Sequence, residues 1–226
     1  MTMDKIKLKW VWIGLSSIFV TAIILYWGWF YVSFNGLPWK KYVIANELKE
    51  HVEQKYNIET TIEERYYTFK KPSYGVRLSE KGKNETFTFT ADKVGDELLD
   101  SYLQHVWASQ INEDMQPIVE KHMTNVHKHT AHPSSHIEYN YTGVIPLYKD
   151  VNEQLQYHIL LKKVDEEVTL TQLFHVIDEM KKKDIRNVHL YVGSQTLPPK
   201  ASFKTLDIPG NELDNIKTKE DILKYR

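Results

Sequence analysis

Apolar residues are concentrated near the N-terminus of the chain. From Trp10 to Phe34 the sequence contains no charged residue and shows no polar face at helical spacing. A helix of this length rises about 37 Å, which exceeds the roughly 30 Å hydrocarbon thickness of a bilayer. We therefore predict a transmembrane helix at residues 10–34, preceded by a short tail at residues 1–9.

Two alternatives fit this segment less well. A core helix of a soluble protein needs enough surrounding chain to cover every face, and the remaining residues are too polar to do so. A cleaved signal peptide has a shorter apolar stretch and small residues at its cleavage site, whereas residues 30–34 read Phe-Tyr-Val-Ser-Phe. Trp10 and Trp12 at one end of the run, and Trp27, Trp29 and Tyr31 at the other, are typical of membrane interfaces. We therefore expect an uncleaved anchor.

Lysines flank the apolar run on both sides and bear on its orientation. Lys5, Lys7 and Lys9 precede the run, and Lys40 and Lys41 follow it. Moving a short tail with three lysines across a membrane is unfavourable, because positive charge is retained on the cytoplasmic side. We therefore expect a single-pass protein of the cell membrane, with a cytoplasmic N-terminus and an extracytoplasmic C-terminal region.

The polarity pattern changes after residue 35 and predicts a first α+β unit over residues 35–123. Residues 37–57 have apolar positions four apart, which indicates a helix that either extends the anchor as a stalk or packs on a sheet. Residues 58–91 are rich in β-branched and aromatic residues and predict an antiparallel meander of three strands. Residues 94–123 have an apolar helical stripe, which Pro117 is expected to bend or end.

The next residues, 124–136, show neither helical nor strand periodicity, and we interpret them as a His-rich linker. A second α+β unit is predicted over residues 137–226. It has strands near 137–147, 157–164 and 188–192, and a helix that begins at a Thr169–Gln172 capping box. The strand–helix–strand order predicts a right-handed βαβ element. An edge strand at 202–206 and a short helix at 218–224 complete a chain of the α+β class.

Composition excludes several functional classes. The chain of 226 residues has a formal net charge of -1, which gives no reason to expect nucleic acid as a partner. It has no cysteine, so disulfides, thiolate metal sites and cysteine nucleophiles are absent. The absence of cysteine is also compatible with a location outside the cytoplasm. No nucleophile elbow, phosphate-binding loop or His-Glu-x-x-His motif occurs. We therefore expect a non-catalytic protein.

A cluster of histidines is the unusual feature of the composition. Five of the ten histidines lie between residues 122 and 136. His127, His129, His132 and His136 are candidate ligands for a weakly bound divalent metal, since imidazole is the commonest protein ligand for such ions. Pro133 disfavours the helix that would bring His132 and His136 together. Solvated histidines in a linker, a metal site and a pH-responsive joint all remain open at this point.

Several segments together resemble a known family. The lysine-flanked aromatic anchor runs into FNGLPWKKYVIANELKEHVEQKYN, the meander contains Arg65-Tyr66-Tyr67, and Asp100-Ser101-Tyr102 opens the following helix. In this combination the chain is similar to the YfjL-like family of uncharacterised single-pass membrane proteins of Gram-positive bacilli. The resemblance is stronger over residues 34–123 than after 137. It implies a membrane-anchored exterior of two α+β parts and assigns no activity.

These observations predict a non-catalytic binding or interaction module that is anchored in the membrane by residues 10–34. The expected partners are the membrane itself and an envelope protein, with no nucleic acid and no resident cofactor. The alternative function is divalent-metal binding in the cell envelope through the His122–His136 cluster.

Overall fold

The chain has an α+β fold, as predicted, and divides into two compact units, Met1–Asp100 and Ser101–Arg226. The computed structural model describes residues 3–83, 87–132, 141, 143–151, 155–162, 165–194 and 205–226, with the side chains of residues 3–9 and 11 left out.

The first unit contains two helices followed by a sheet. Its elements are α1 (Met3–Asn35), α2 (Pro38–Tyr56), β1 (Thr60–Thr68), β2 (Ser73–Glu80), β3 (Thr88–Val94) and β4 (Glu97–Asp100).

From residue 12 to residue 34, helix α1 is apolar and largely exposed. Ile18, Phe19 and Leu25 are each exposed by more than three fifths of their surface. The Thr21 hydroxyl donates a hydrogen bond of 2.9 Å to the carbonyl oxygen of Ser17, so this polar group is satisfied within the helix. The helix is long and apolar enough to span a membrane.

Helix α2 covers one face of the first sheet, which decides between the two predicted arrangements in favour of packing. It begins at Pro38, a residue suited to the first helical turn, and ends before Asn57, which adopts a left-handed conformation with φ of 54°. Its buried face contains Ala45, Leu48 and Val52. Among the described residues of the sheet, the buried hydrophobic side chains are Val76, Leu78, Phe89 and Ala91.

The first sheet is an antiparallel meander of four strands in the order β1-β2-β3-β4, one strand more than predicted. The added strand, β4, uses residues that we assigned to the start of the second helix. Gly95, with φ of 63°, occupies the first position of a two-residue turn between Val94 and Glu97, which pair across the ladder. Positive φ at this position is typical of hairpin turns, and it ends any helix there.

In its described residues, the second unit contains two helices, four strands and three short 3₁₀ turns. Its helices and strands are α3 (Tyr102–His122), β5 (Val126–His132), β6 (Leu155–Leu161), α4 (Glu166–Lys182), β7 (Val188–Ser194) and β8 (Leu206–Ile208). The 3₁₀ turns are Tyr148–Asp150, Gly210–Asn215 and Lys219–Tyr225, the last of which lies where a short helix was predicted.

The second sheet has the order β5-β6-β7-β8. Strands β6 and β7 are parallel and are joined through α4, which confirms the predicted βαβ element. Strands β5 and β8 pair antiparallel at the two edges. Alternate residues of β6 and β7 are buried, so one face of the sheet belongs to the core of this unit.

The boundary between the two units lies after Asp100, earlier than the predicted end of the first unit at residue 123. Helix α3 contacts β5 and α4, and its buried face contains Trp107, Ile111 and Met115. The helix therefore belongs to the second unit, although its position in the sequence directly after the meander suggested the first. It continues through Pro117, because Ile118 and Val119 are buried and hold the following turn in place.

The predicted linker contains a strand. Strand β5 occupies Val126–His132 and pairs with β6, with a register shift between Val126 and Lys128. It is an edge strand in which only Ala131 is fully buried, and the shift interrupts the alternation of its side chains. Both features remove the periodicity that predicts a strand.

The start of α4 also differs from its prediction. The helix begins at Glu166, and Asp165 is its N-cap, accepting a hydrogen bond of 3.3 Å from the amide of Val168. Thr169, the predicted cap, is buried inside the first turns at 1% exposure. The segment predicted as strand at 137–147 lies partly outside the described residues, and residues 143–147 are not in a strand.

Candidate functional site

The two faces of the second sheet differ in chemistry. On β6, Tyr157 and Ile159 point into the core, whereas Gln156 and His158 point to the opposite face. On β7, Leu190 is buried and Tyr191 is exposed. The polar side chains thus share one surface, which we call the outer face, defined by Thr130, His132, Gln156, His158, His189, Tyr191 and Asp207.

A row of aromatic rings crosses three strands of the outer face. The ring centroid of His132 on β5 lies 4.2 Å from that of His158 on β6. The ring of His158 stacks on that of Tyr191 on β7, with centroids 4.9 Å apart and an interplanar angle of 29°. Tyr191 remains 42% exposed, so the end of this row is accessible to solvent.

The central imidazole of the row is biased toward its neutral form. Burial lowers the pKa of His158 below its ordinary value, and repulsion from the imidazoles of His132 and His189 lowers it further. Asp207 acts in the opposite direction, but it is hydrogen bonded to the Nε2 atom of His189.

The three predicted metal ligands that the structure describes, His127, His129 and His132, are not grouped into one site. His129 and His132 lie three residues apart on a strand and so point to opposite faces of the sheet. The Nδ1 atom of His129 lies 2.7 Å from the hydroxyl of Tyr157, on the core side. His127 is exposed beside the register shift. His136 lies outside the described residues.

His122, at the end of α3, is separate from the outer face. Its Nε2 atom is hydrogen bonded to Glu179 of α4, and its ring lies 5.9 Å from that of His175. The hydrogen bond from His122 and, to a smaller extent, the one from Lys121 lower the pKa of Glu179 to about 2. This arrangement joins two helices. Within the part of the chain that the structure describes, no three His, Asp or Glu side chains are grouped as metal ligands.

His158, His189 and Tyr191 were not among the residues predicted from the sequence to form a site. The sequence did contain a signal for them. Polar and apolar residues alternate in Tyr157-His158-Ile159 and in residues 188–192, so the polar side chains of each strand are expected on one face of the sheet. Placing these residues beside His132 also requires the register of β5 against β6, which an irregular edge strand does not reveal.

A second arrangement joins α1 to the first sheet. Gly36 lies between α1 and α2 with φ of 67°, and a Cβ atom there would lie 2.8 Å from Cγ of Tyr67. The hydroxyl of Tyr74 accepts a hydrogen bond of 2.9 Å from the amide of Leu37. Phe34 contacts Phe69 with ring centroids 5.3 Å apart. The long helix is thereby fixed to the sheet through this aromatic joint.

Comparison with known proteins bears on this part of the chain. Residues 7–102 match the YfjL-like, N-terminal domain. The matched YfjL-like segment contains α1 from residue 7, all of α2 and the complete first sheet, so it closely follows the compact unit that ends at Asp100. The match supports the family resemblance drawn from the sequence. The chain matches no curated protein and no solved structure.

Proposed function

We propose that this protein is a non-catalytic binding module anchored in the cell membrane, and that the outer face of the second sheet is its recognition surface. The observation that carries the anchor is the exposure of apolar side chains along α1. The YfjL-like resemblance supports a single-pass protein of a Gram-positive bacillus. Lys5, Lys7 and Lys9 favour a cytoplasmic N-terminus and extracytoplasmic α+β units.

Labelling of single cysteines tests the topology, and the natural absence of cysteine makes this experiment clean. Lys81→Cys, at an exposed turn of the first unit, is expected to react with a membrane-impermeant maleimide in intact cells. Thr2→Cys is the matched probe on the other side and is expected to react only after lysis. Labelling of Lys81→Cys only after lysis would invert the topology.

The assignment of the outer face as a recognition surface is supported by its aromatic rings and by the exposure of Tyr191. Tyrosine and histidine present flat rings with polar edges, which suits protein recognition, and aromatic residues are enriched at interfaces. An envelope protein is the proposed partner. The opposite face of the same sheet is occupied by the core of the unit and offers no such surface.

Site-specific photocrosslinking tests this assignment in the full-length protein in its own membrane. A photoreactive phenylalanine at Tyr191 is expected to give a discrete adduct, because that side chain is at the exposed end of the ring row. The same probe at Leu223, which is 37% exposed away from the outer face, serves as the control. Equal adducts at both positions, or none at Tyr191, would contradict the assignment.

Divalent-metal binding is the second candidate, and one observation favours it. His132 and His158 face each other on adjacent strands at a centroid distance of 4.2 Å. Zinc titrated calorimetrically into the full-length protein is expected to release heat that His132→Ala removes and His51→Ala on α2 leaves unchanged. Absence of heat with the unmodified protein would exclude this function.

A further inference from the structure

The turn between β1 and β2, residues 69–72, lies at the same end of the first unit as the end of α1. Phe69 of this turn contacts Phe34 in the last turn of α1. Strand β1 therefore runs toward α1, so that Thr68 is near the helix and Thr61 is at the far end of the sheet. Residues far apart in the sequence thus share one end of the unit, where α1 meets α2.

Four lysines are placed at this end. Lys40 and Lys41 lie in the first turn of α2, and Lys70 and Lys71 lie in the turn after β1. Three of them are exposed and Lys41 is half-buried. Among the described residues none of the four has a carboxylate within ion-pair distance, in contrast to Lys49 and Lys55 farther along α2. Their charge is therefore not neutralised by the described part of the chain.

Exposed aromatic residues accompany these lysines. Trp39 is 63% exposed and Phe69 is 51% exposed. Among the described residues, the acidic residues near this end are Asp92, whose carboxylate accepts a hydrogen bond from Tyr66, and Asp96 and Glu97 around the turn after β3. No acidic residue lies between Asp4 and Glu47 or between Glu64 and Glu80. The side of the unit beside α1 is therefore basic and aromatic.

We propose that Lys40, Lys41, Lys70 and Lys71 form a surface that binds the headgroups of anionic phospholipids, with Trp39 and Phe69 in the interfacial layer. The inference rests on the proposed membrane anchor, because α1 places this surface at the level of the headgroups. Clustered lysines next to a membrane helix are attracted to anionic lipid, and exposed aromatic rings favour the interface. The surface fixes the first unit against the bilayer instead of leaving it free in solution.

Two matched probes on one strand test the proposal. Thr68→Cys and Thr61→Cys are exposed, lie on the same face of the sheet and are about 20 Å apart along β1. Each full-length variant is labelled with a fluorophore and reconstituted in bilayers of phosphatidylcholine, with or without phosphatidylglycerol. Lipids that carry a spin label on the headgroup then report how close each fluorophore is.

We expect phosphatidylglycerol to increase quenching at Thr68→Cys by about twofold and to leave Thr61→Cys almost unchanged. High salt and the double substitution Lys70→Ala/Lys71→Ala are expected to remove the increase. The control substitution Lys81→Ala/Lys83→Ala, at the far end of the sheet, is expected to preserve it. Equal quenching with and without phosphatidylglycerol, or the same loss in both lysine variants, would overturn the proposal.

A third probe separates this inference from the anchor on which it rests. Ile24→Cys in α1 carries the same fluorophore and is examined with lipids spin-labelled on the acyl chain. Quenching at Ile24 without a lipid-dependent change at Thr68 would refute the headgroup surface alone. Absence of quenching at Ile24 would refute the membrane anchor itself.

Discussion

In the first sheet, Tyr66, Gly75 and Asp92 are closely packed on neighbouring strands. The ring of Tyr66 lies over Gly75, and its hydroxyl donates a hydrogen bond of 3.0 Å to Asp92. Burial raises the pKa of both Tyr66 and Asp92. The site depends on the absence of a side chain at residue 75, since a Cβ atom there would lie 2.4 Å from Oδ1 of Asp92.

The substitution Gly75→Ala is therefore expected to destabilise the first unit by about 1–3 kcal/mol, the usual cost of overpacking. Hydrogen exchange of the β2 and β3 amides measures this locally. Gly193→Ala in β7 is the matched control, because no atom lies within 4 Å of its added Cβ. If both substitutions had equal effects in their own sheets, the packing of Tyr66 on Gly75 would not be the cause.

His158 gives a pH dependence to the stability of the second unit. Its pKa is lower in the folded state, so the unfolded chain binds more protons as the pH falls through the ordinary imidazole range near about 6.5. We expect the free energy of unfolding to decrease in that range and His158→Gln to weaken the decrease. Urea denaturation at a series of pH values measures this, with His127→Gln as the exposed control. An unchanged pH dependence in His158→Gln would contradict the expectation.

At the scale of elements, α2 is held to the end of the first sheet by a buried carboxylate. Asp100, at the end of β4, accepts hydrogen bonds of 2.7 Å from Lys55 and 2.9 Å from Tyr56. Its side chain is only 1% exposed. The Lys55 side chain is 20% exposed, so loss of the carboxylate leaves a lysine that water can reach and a tyrosine hydroxyl without its acceptor.

We expect Asp100→Ala to destabilise the first unit by about 2–3 kcal/mol, because it removes the acceptor of two hydrogen bonds. Tyr56→Phe, which removes only one hydrogen bond, is expected to cost about 0.5–1.5 kcal/mol. Glu59→Ala removes an exposed partner of Lys81 and is expected to cost less than about 1 kcal/mol. Thermal unfolding in detergent orders the three variants, and a cost for Asp100→Ala no larger than that for Glu59→Ala would contradict the role of the buried pair.

Elements with a regular helical or strand periodicity of apolar residues could be predicted from the sequence, and elements with an irregular pattern could not. Helix α2, strands β1 to β3 and the βαβ element have regular patterns and were predicted. Strand β4 was missed because Leu98 and Leu99 also fit the helical stripe of the residues after them, and only the turn at Gly95 separates the two. Strand β5 was missed because it is a polar edge strand with a register shift. For the same reason the His132–His158 contact could not be predicted from spacing.

At the scale of the molecule, the boundary after Asp100 has a direct consequence for fragments. The second unit buries Trp107 and Ile111 of α3 together with Tyr157 and Leu173. A fragment that begins at residue 137, the predicted boundary, lacks both α3 and β5. It would expose the apolar residues that these two elements cover.

We therefore expect residues 101–226 to form a monomer that unfolds cooperatively, and residues 137–226 to aggregate. Size-exclusion chromatography and thermal unfolding by circular dichroism compare the two fragments. A soluble, cooperatively folded 137–226 fragment would show that α3 is dispensable for the second unit.

The aromatic joint at Gly36 has a mechanical consequence. Tyr67, Tyr74 and Phe69 hold the end of α1 against the sheet, so rotation of the helix cannot be absorbed at Gly36 without breaking these contacts. A long apolar helix adapts to a thinner bilayer by tilting. In the membrane anchor that we propose, any such tilt of α1 is transmitted to the first sheet. Bilayer thickness would thereby set the angle at which the first unit stands on the membrane.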